Sequence, residues 1–420
     1  ALAQGATGIP GLQTESAAQV EFGAEIRFQL QAQSDEPITS VLFLYQVDDS
    51  PVQNTGVPSY GPGTSVDAIY SWRVANVLVP GTEIRYRWQV DTASGRRATT
   101  KEQMVAYDDT RFNWQTVKGD LVTVYYPSSD PQAGQALLEE AGKAQGRLRR
   151  EYGLSLDKPL RIFAYTGREE YASALYTGQP LDVATTVGTD RIFVLAPGGT
   201  SGMTVALQGL RRELATALFL QKTRNPYADP PLWLAEGFSY VMSGEELLPE
   251  TYQALGQLAE ANQLLPLRTL NGSFPTTERD LTLAYAESAS AVKYIADAYG
   301  PQKLQALLAA FKEGNTVDDA LKKGLGVSLD QLETRWKNAL KNGTAARPSA
   351  GQGSPQGAPR GDGGVVDRLF GPALSYWQGL FGEYTRPVLI GMAGVIGLGI
   401  VALVVGTGVS IWRRNHDEEY

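Results

Sequence analysis

The run from Val388 to Trp412, PVLIGMAGVIGLGIVALVVGTGVSIW with its leading Pro387, holds no charged residue. A bilayer core needs about 20 such residues in one helix, whereas buried helices of globular domains are rarely so long and uniformly apolar. The run predicts a single membrane-spanning helix over 387–412. Arg413 and Arg414 follow it at once, while Asp367, Arg368, Glu383 and Arg386 on the other side are balanced in sign. Basic residues favour the cytoplasmic side, so 413–420 is expected in the cytoplasm and everything before the span outside it. The first residues, Ala1-Leu2-Ala3-Gln4, have the small-x-small pattern of a signal-peptidase site, and 1–14 reads as the segment left after such cleavage. Within the span, Ala402, Gly406 and Ser410 share one helical face, as do Ala393 and Gly397. Small faces of this kind let a second helix approach closely, although glycine is common in membrane helices for other reasons.

Composition narrows what the rest can do. Hydrophobic residues make up 43% of the chain and charged ones 20%, values compatible with packed cores, and the length calls for more than one of them. The net charge of -8 comes with no long basic run, which argues against nucleic acid as a partner. With no cysteine, disulfides, thiolate metal sites and cysteine nucleophiles are all excluded. The one histidine is His416, near the end of the chain and beyond the predicted span.

Residues 15–110 carry the period of strands. EIRFQLQAQ places Ile26, Phe28, Leu30 and Ala32 on one face, and EIRYRWQVD does the same with Ile84, Tyr86, Trp88 and Val90. VLFLYQV, AIYSWRVANVLV and ATTKEQMVAY add further strands, separated by turn-forming stretches such as DTASGRR. Several such strands in under a hundred residues predict an all-β sandwich of immunoglobulin or fibronectin type, an architecture that more often positions or binds than catalyses.

From Asp120 the pattern turns mixed. LVTVYYP, LRIFAY and TDRIFVLAP read as strands, PQAGQALLEEAGKAQGRLRREYG and REEYASALY as helices, and helices continue from Met203 to Leu340. This predicts an α+β domain over 118–341, sheet first and helices later. A Gly/Pro/Ser-rich stretch over 342–365 then reads as a tether. Over 366–386, Leu369, Phe370, Tyr376, Trp377 and Phe381 cluster beside the span and predict a segment lying at the outer membrane surface, in preference to a plain helical spacer.

Two helical segments of the α+β region hold the candidate site: Leu210-Arg211-Arg212-Glu213-Leu214-Ala215-Thr216, and Trp233-Leu234-Ala235-Glu236-Gly237-Phe238. Together they resemble the gluzincin metallopeptidases, the thermolysin-type build, and in particular the peptidase MA-like domain of bacterial extracytoplasmic proteins. In that family a helix carries His-Glu-x-x-His and a second helix a Trp-Leu-x-Glu-Gly-like motif. Two histidines four apart share a helical face and bind zinc, the glutamate between them takes the proton of a bound water, and a further carboxylate completes the ligands. By this resemblance Glu213 matches the general base and Glu236 the third ligand, while the histidine positions are Arg212 and Thr216. Arginine has no lone pair to give, its charge repels a cation, and threonine is a weak neutral ligand. The resemblance thus implies a degenerate site, no metal and no other cofactor, and a non-enzyme.

An arginine in place of a metal would satisfy neighbouring carboxylates, so a pair of Arg212 with Glu236, Glu213 or both is expected, against the alternative that all three are solvated in an open cleft. Calcium held by Glu213 and Glu236 is disfavoured by Arg212. APGGTSGM before the first helix could cradle a phosphate, but it lacks the lysine of a P-loop and serves equally as a connector. Trp233, Tyr285 and Tyr294 lie among apolar neighbours and are expected in the core.

The expectation is a single-pass cell-membrane protein whose outer domains act as a scaffold, with the bilayer and proteins as partners. One form of this is an accessory subunit docked through the span. The alternative is a residual hydrolase or a peptide receptor that uses the old cleft.

Overall fold

A computed structural model describes residues 9–74, 77–127, 131–175 and 183–345. The predicted tether, juxtamembrane segment, span and tail, with Ala393, Gly397, Ala402, Gly406 and Ser410, lie outside the described residues, as does the segment 1–8. Among the described residues no helix is long and apolar enough to cross a membrane. The chain divides into two compact units, residues 1–114 with 168–178, and residues 115–167 with 179 onward.

The first unit is built on strands β1 (Gln13–Glu21), β2 (Glu25–Val47), β3 (Asn54–Gly56), β4 (Gly63–Arg73), β5 (Thr82–Thr92), β6 (Arg97–Thr99) and β7 (Gln103–Tyr107). Sequence patterning predicts separate strands for EIRFQLQAQ and VLFLYQV; instead they are the two halves of β2, joined across a register shift between Gln33 and Ile38. The first half pairs with β1 and β4, the second with β3 and β5. Phe28 and Phe43 would stand about 50 Å apart on a straight strand. Their rings are 4.5 Å apart, so β2 turns back and its halves face each other across one core. The alternating residues predicted to point inward do so: Ile26, Phe28, Leu30, Ile84 and Trp88 are fully buried.

REEYASALY forms helix α2 (Arg168–Leu175), but it belongs with this β-rich unit and not with the sheet beside it in sequence. The reason is local: Arg111 donates to Ser173 Oγ at 2.7 Å and to the Glu170 carbonyl at 3.2 Å. Its guanidinium also grips the buried carboxylate of Asp109 through Nε and Nη2 at 2.8 and 2.6 Å.

The second unit opens with a five-stranded sheet of β8 (Trp114–Lys118), β9 (Val122–Pro127), β10 (Leu160–Tyr165), β11 (Ala184–Val187) and β12 (Arg191–Leu195), in the order β11-β12-β10-β9-β8. β10 runs parallel to β9 and β12, with helix α1 (Pro131–Tyr152) between β9 and β10, while β11 is an antiparallel edge. The remaining helices are α3 (Thr200–Thr223), α4 (Leu232–Met242), α5 (Pro249–Glu260), α6 (Glu278–Lys312), α7 (Val317–Leu325) and α8 (Leu329–Lys341). α6 is broken at Gly300, whose φ of 78° is open to glycine and strained for other residues, and Pro301 follows it. One apolar core joins sheet and helices, running from Val124 and Ile162 through Leu214, Phe238 and Val292 to Trp336. The predicted core residues Trp233, Tyr285 and Tyr294 belong to it, Trp233 fully buried and the two tyrosines packed against its margin.

Candidate functional site

The site lies where α3 and α4 pack. Leu210, Leu214 and Phe219 point from α3 into the core, and Trp233, Leu234 and Phe238 do so from α4. Burial of these apolar stripes fixes which way the half-buried Arg212, Glu213, Thr216 and Glu236 face. α4 also lies hard against α6, and the reason is Gly237. A Cβ there would stand 2.2 Å from the Ser288 carbonyl oxygen, a distance no side chain tolerates. The glycine after the motif glutamate is therefore a packing requirement of this helix pair.

Arg212, Glu213 and Thr216 each have a described partner. Glu213 Oε2 accepts the Thr186 backbone N–H at 2.8 Å, and Thr186 Oγ1 donates to the Glu213 carbonyl at 3.0 Å, fastening the edge strand β11 to α3. Thr216 and Ser239 share a hydroxyl hydrogen bond of 2.9 Å across the α3–α4 seam. The Arg212 carbonyl is within reach of Thr216 and the Ala235 carbonyl within reach of Ser239; with one proton on each hydroxyl, one of the two donates across the seam and the other to its own preceding turn. Glu236 sits half-buried on α4, three residues before Ser239.

Arg212 has a partner that sequence reasoning did not consider. Its Nη2 donates to Glu245 Oε2 at 2.8 Å, with the two side chains only 18% and 14% exposed. The guanidinium also stands over the Tyr240 ring, 5.5 Å from its centroid, and Ser243 Oγ donates to the other Glu245 oxygen at 3.1 Å. Glu245 follows α4 in a loop, nine residues past Glu236, and no spacing rule points to it. Arg211, the neighbouring residue, turns to α1 and pairs with Glu140 at 2.9 Å.

Zinc, the metal of the family that the two helices resemble, does not fit these donors. A guanidinium has no lone pair to offer and is committed to Glu245, and the Thr216 hydroxyl is committed to Ser239. Among the described residues no group of three or more histidine, cysteine, aspartate or glutamate side chains is placed to hold a metal ion. The Arg212–Glu245 pair is a structural brace in this arrangement. Arg212→Met, which leaves Glu245 shielded from water without its cation, is expected to lower unfolding stability by about 2 kcal/mol. Adding Glu245→Leu should recover most of that loss, and a double-mutant cycle by chemical denaturation measures the coupling.

A second buried carboxylate lies one helix away and has no counterpart among the sequence expectations. Glu287 on α6 is fully buried; its Oε1 accepts the Leu265 N–H at 2.9 Å and its Oε2 has no hydrogen-bond partner among the described residues. Burial pushes its pKa up to about 8; the nearby Glu333 acts in the same direction, and the Leu265 bond and Lys337 oppose it. Glu333 on α8 accepts the Leu267 N–H at 3.1 Å and pairs with Lys337 at 2.6 Å, so carboxylates of two helices hold the segment Leu265–Leu267. The only signal in the sequence is one charged residue inside the small-residue run AESASA.

Residues 140–342 match the family model described as the Peptidase MA superfamily. Among solved structures, aminopeptidase A of Legionella pneumophila, crystallised with aspartic acid, is similar at 13% identity and a TM-score of 0.35. The match covers 78% of this chain and 49% of that one, so this chain spans about half the length of that neighbour. No match is found among the curated proteins. From the family match, with the helix pair that carries Glu213 and Glu236, residues 140–342 are a peptidase MA-like domain.

Proposed function

We propose that this chain is a membrane-anchored, extracytoplasmic pseudo-peptidase that works by binding and scaffolding and not by hydrolysis. The observation that carries this reading is the state of the two histidine positions, where Arg212 is paired with Glu245 and Thr216 with Ser239. The general-base match, Glu213, is engaged by the β11 backbone. The β-rich unit, read as an immunoglobulin-type module, adds a second surface for protein partners. The uncharged run 387–412 is the anchor, and its small-residue faces suit docking to another membrane helix, as in an accessory subunit of a larger complex.

Metal analysis of the purified chain and a general peptidase assay test the central claim. Sub-stoichiometric zinc and no hydrolysis are expected. Stoichiometric zinc together with peptidase activity that Glu213→Gln abolishes would overturn it.

A further inference from the structure

Beside the Arg212–Glu245 brace, between the end of α4, the loop after it, the start of α5 and the middle of α6, the peptidase MA-like domain encloses a cavity of about 160 Å³. That is room for a group about the size of a benzene ring. Tyr240 and Tyr252 supply its aromatic walls, Ala289 keeps one side open, and Glu245, Glu246 and Lys293 bring charge to it.

The charges do not cancel. Arg212 neutralises Glu245, and Lys293 is held by both Asp297 oxygens at 2.7 and 2.6 Å. Three carboxylates face two cations, and the one left over is Glu246, which is exposed and makes no ion pair among the described residues. Its loop is fixed, because the Tyr240 hydroxyl donates to the Glu246 carbonyl at 3.2 Å. Burial first, and then the negative charges of Asp297 and Glu246, hold the Tyr252 hydroxyl well above its ordinary pKa, so that wall stays neutral in a negative field.

We propose that this cavity is a binding site for a primary ammonium group on a short aliphatic stem, with the stem between Tyr240 and Tyr252 and the charge on Glu246. Aromatic walls with one unmatched carboxylate at the mouth are what such a cation requires: the rings take the methylenes and the ammonium face, and the carboxylate fixes the charge. The chemistry fits a free alkylamine or the lysine side chain of a peptide. The inference goes beyond the scaffold reading and stands whether or not the domain hydrolyses anything.

Titration of the purified full chain by ligand-observed NMR tests it, using n-butylammonium, N-acetyl-lysine methylamide and the uncharged N-acetyl-norleucine methylamide. Both amines are expected to bind, with the norleucine compound at least about tenfold weaker. Glu246→Gln, at an exposed position where folding is not at stake, should weaken the amines about tenfold and leave the norleucine compound unchanged. Tighter binding of the lysine compound than of n-butylammonium assigns the site to peptides, and the reverse assigns it to free amines. Equal binding of lysine and norleucine compounds, or amine affinity indifferent to Glu246→Gln, overturns the proposal.

Discussion

Glu287→Gln is expected to stabilise the peptidase MA-like domain at pH 7 by about 3 kcal/mol. Glu287 keeps its proton in the folded state up to about pH 8, whereas the same group in the unfolded chain releases it near the ordinary value of 4.5. Below pH 4.5 both states hold the proton and the side chain carries no penalty. Between 4.5 and 8 only the unfolded state ionises, so stability falls with rising pH by up to about 1.4 kcal/mol per unit. Above 8 the loss is complete. Glutamine keeps an acceptor for the Leu265 N–H and cannot ionise, and it leaves one buried polar group without a partner just as Glu287 Oε2 does. The two chains should therefore be alike at pH 4 and diverge as pH rises. Chemical denaturation at several pH values reads this directly, and parallel curves for the two chains from pH 5 to 8 would refute a raised Glu287 pKa.

Gly237→Ala is expected to cost about 3 kcal/mol, although the same change usually favours a helix. Alanine in place of an exposed helical glycine adds up to about 1 kcal/mol, because glycine loses more backbone freedom on folding. At Gly237 the new methyl would meet the Ser288 carbonyl oxygen at 2.2 Å and the Val292 side chain at 2.7 Å. Backbone cannot rotate away, so α4 and α6 must separate and forfeit packing along their length. Gly142 on α1 is the control: it is exposed, with nothing within 4 Å of where its Cβ would stand. Gly142→Ala should raise the unfolding midpoint and Gly237→Ala lower it. Equal shifts in the same direction would show that α4 and α6 are not in such close contact.

These residues show where sequence reasoning succeeds and stops. Period-two alternation found the inward faces of β2 and β5 because burial acts on every second residue. It missed that the two halves of β2 are one strand, since the polar stretch SDEP between them interrupts the apolar alternation. The helix pair was legible from its motif, yet Glu245 as a partner of Arg212 was not. Glu245 reaches the guanidinium only because the chain leaves α4 and turns back, and a loop path is set by packing that no local pattern encodes. Glu287 was missed for a related reason: a lone carboxylate in a helix is ordinarily solvated, and only the packed helices around α6 make it a buried acid.

The long strand β2 has a bearing on how the β-rich unit opens. In a sandwich whose layers are made of separate strands, one layer can peel from the other while each keeps its own pairing. Here the same strand is hydrogen-bonded into both, β4 on one side of the bend and β5 on the other, so the layers have no seam along which to part. Native-state hydrogen exchange should therefore give the amides of Phe28 and Phe43, fifteen residues apart and in opposite layers, one common opening free energy.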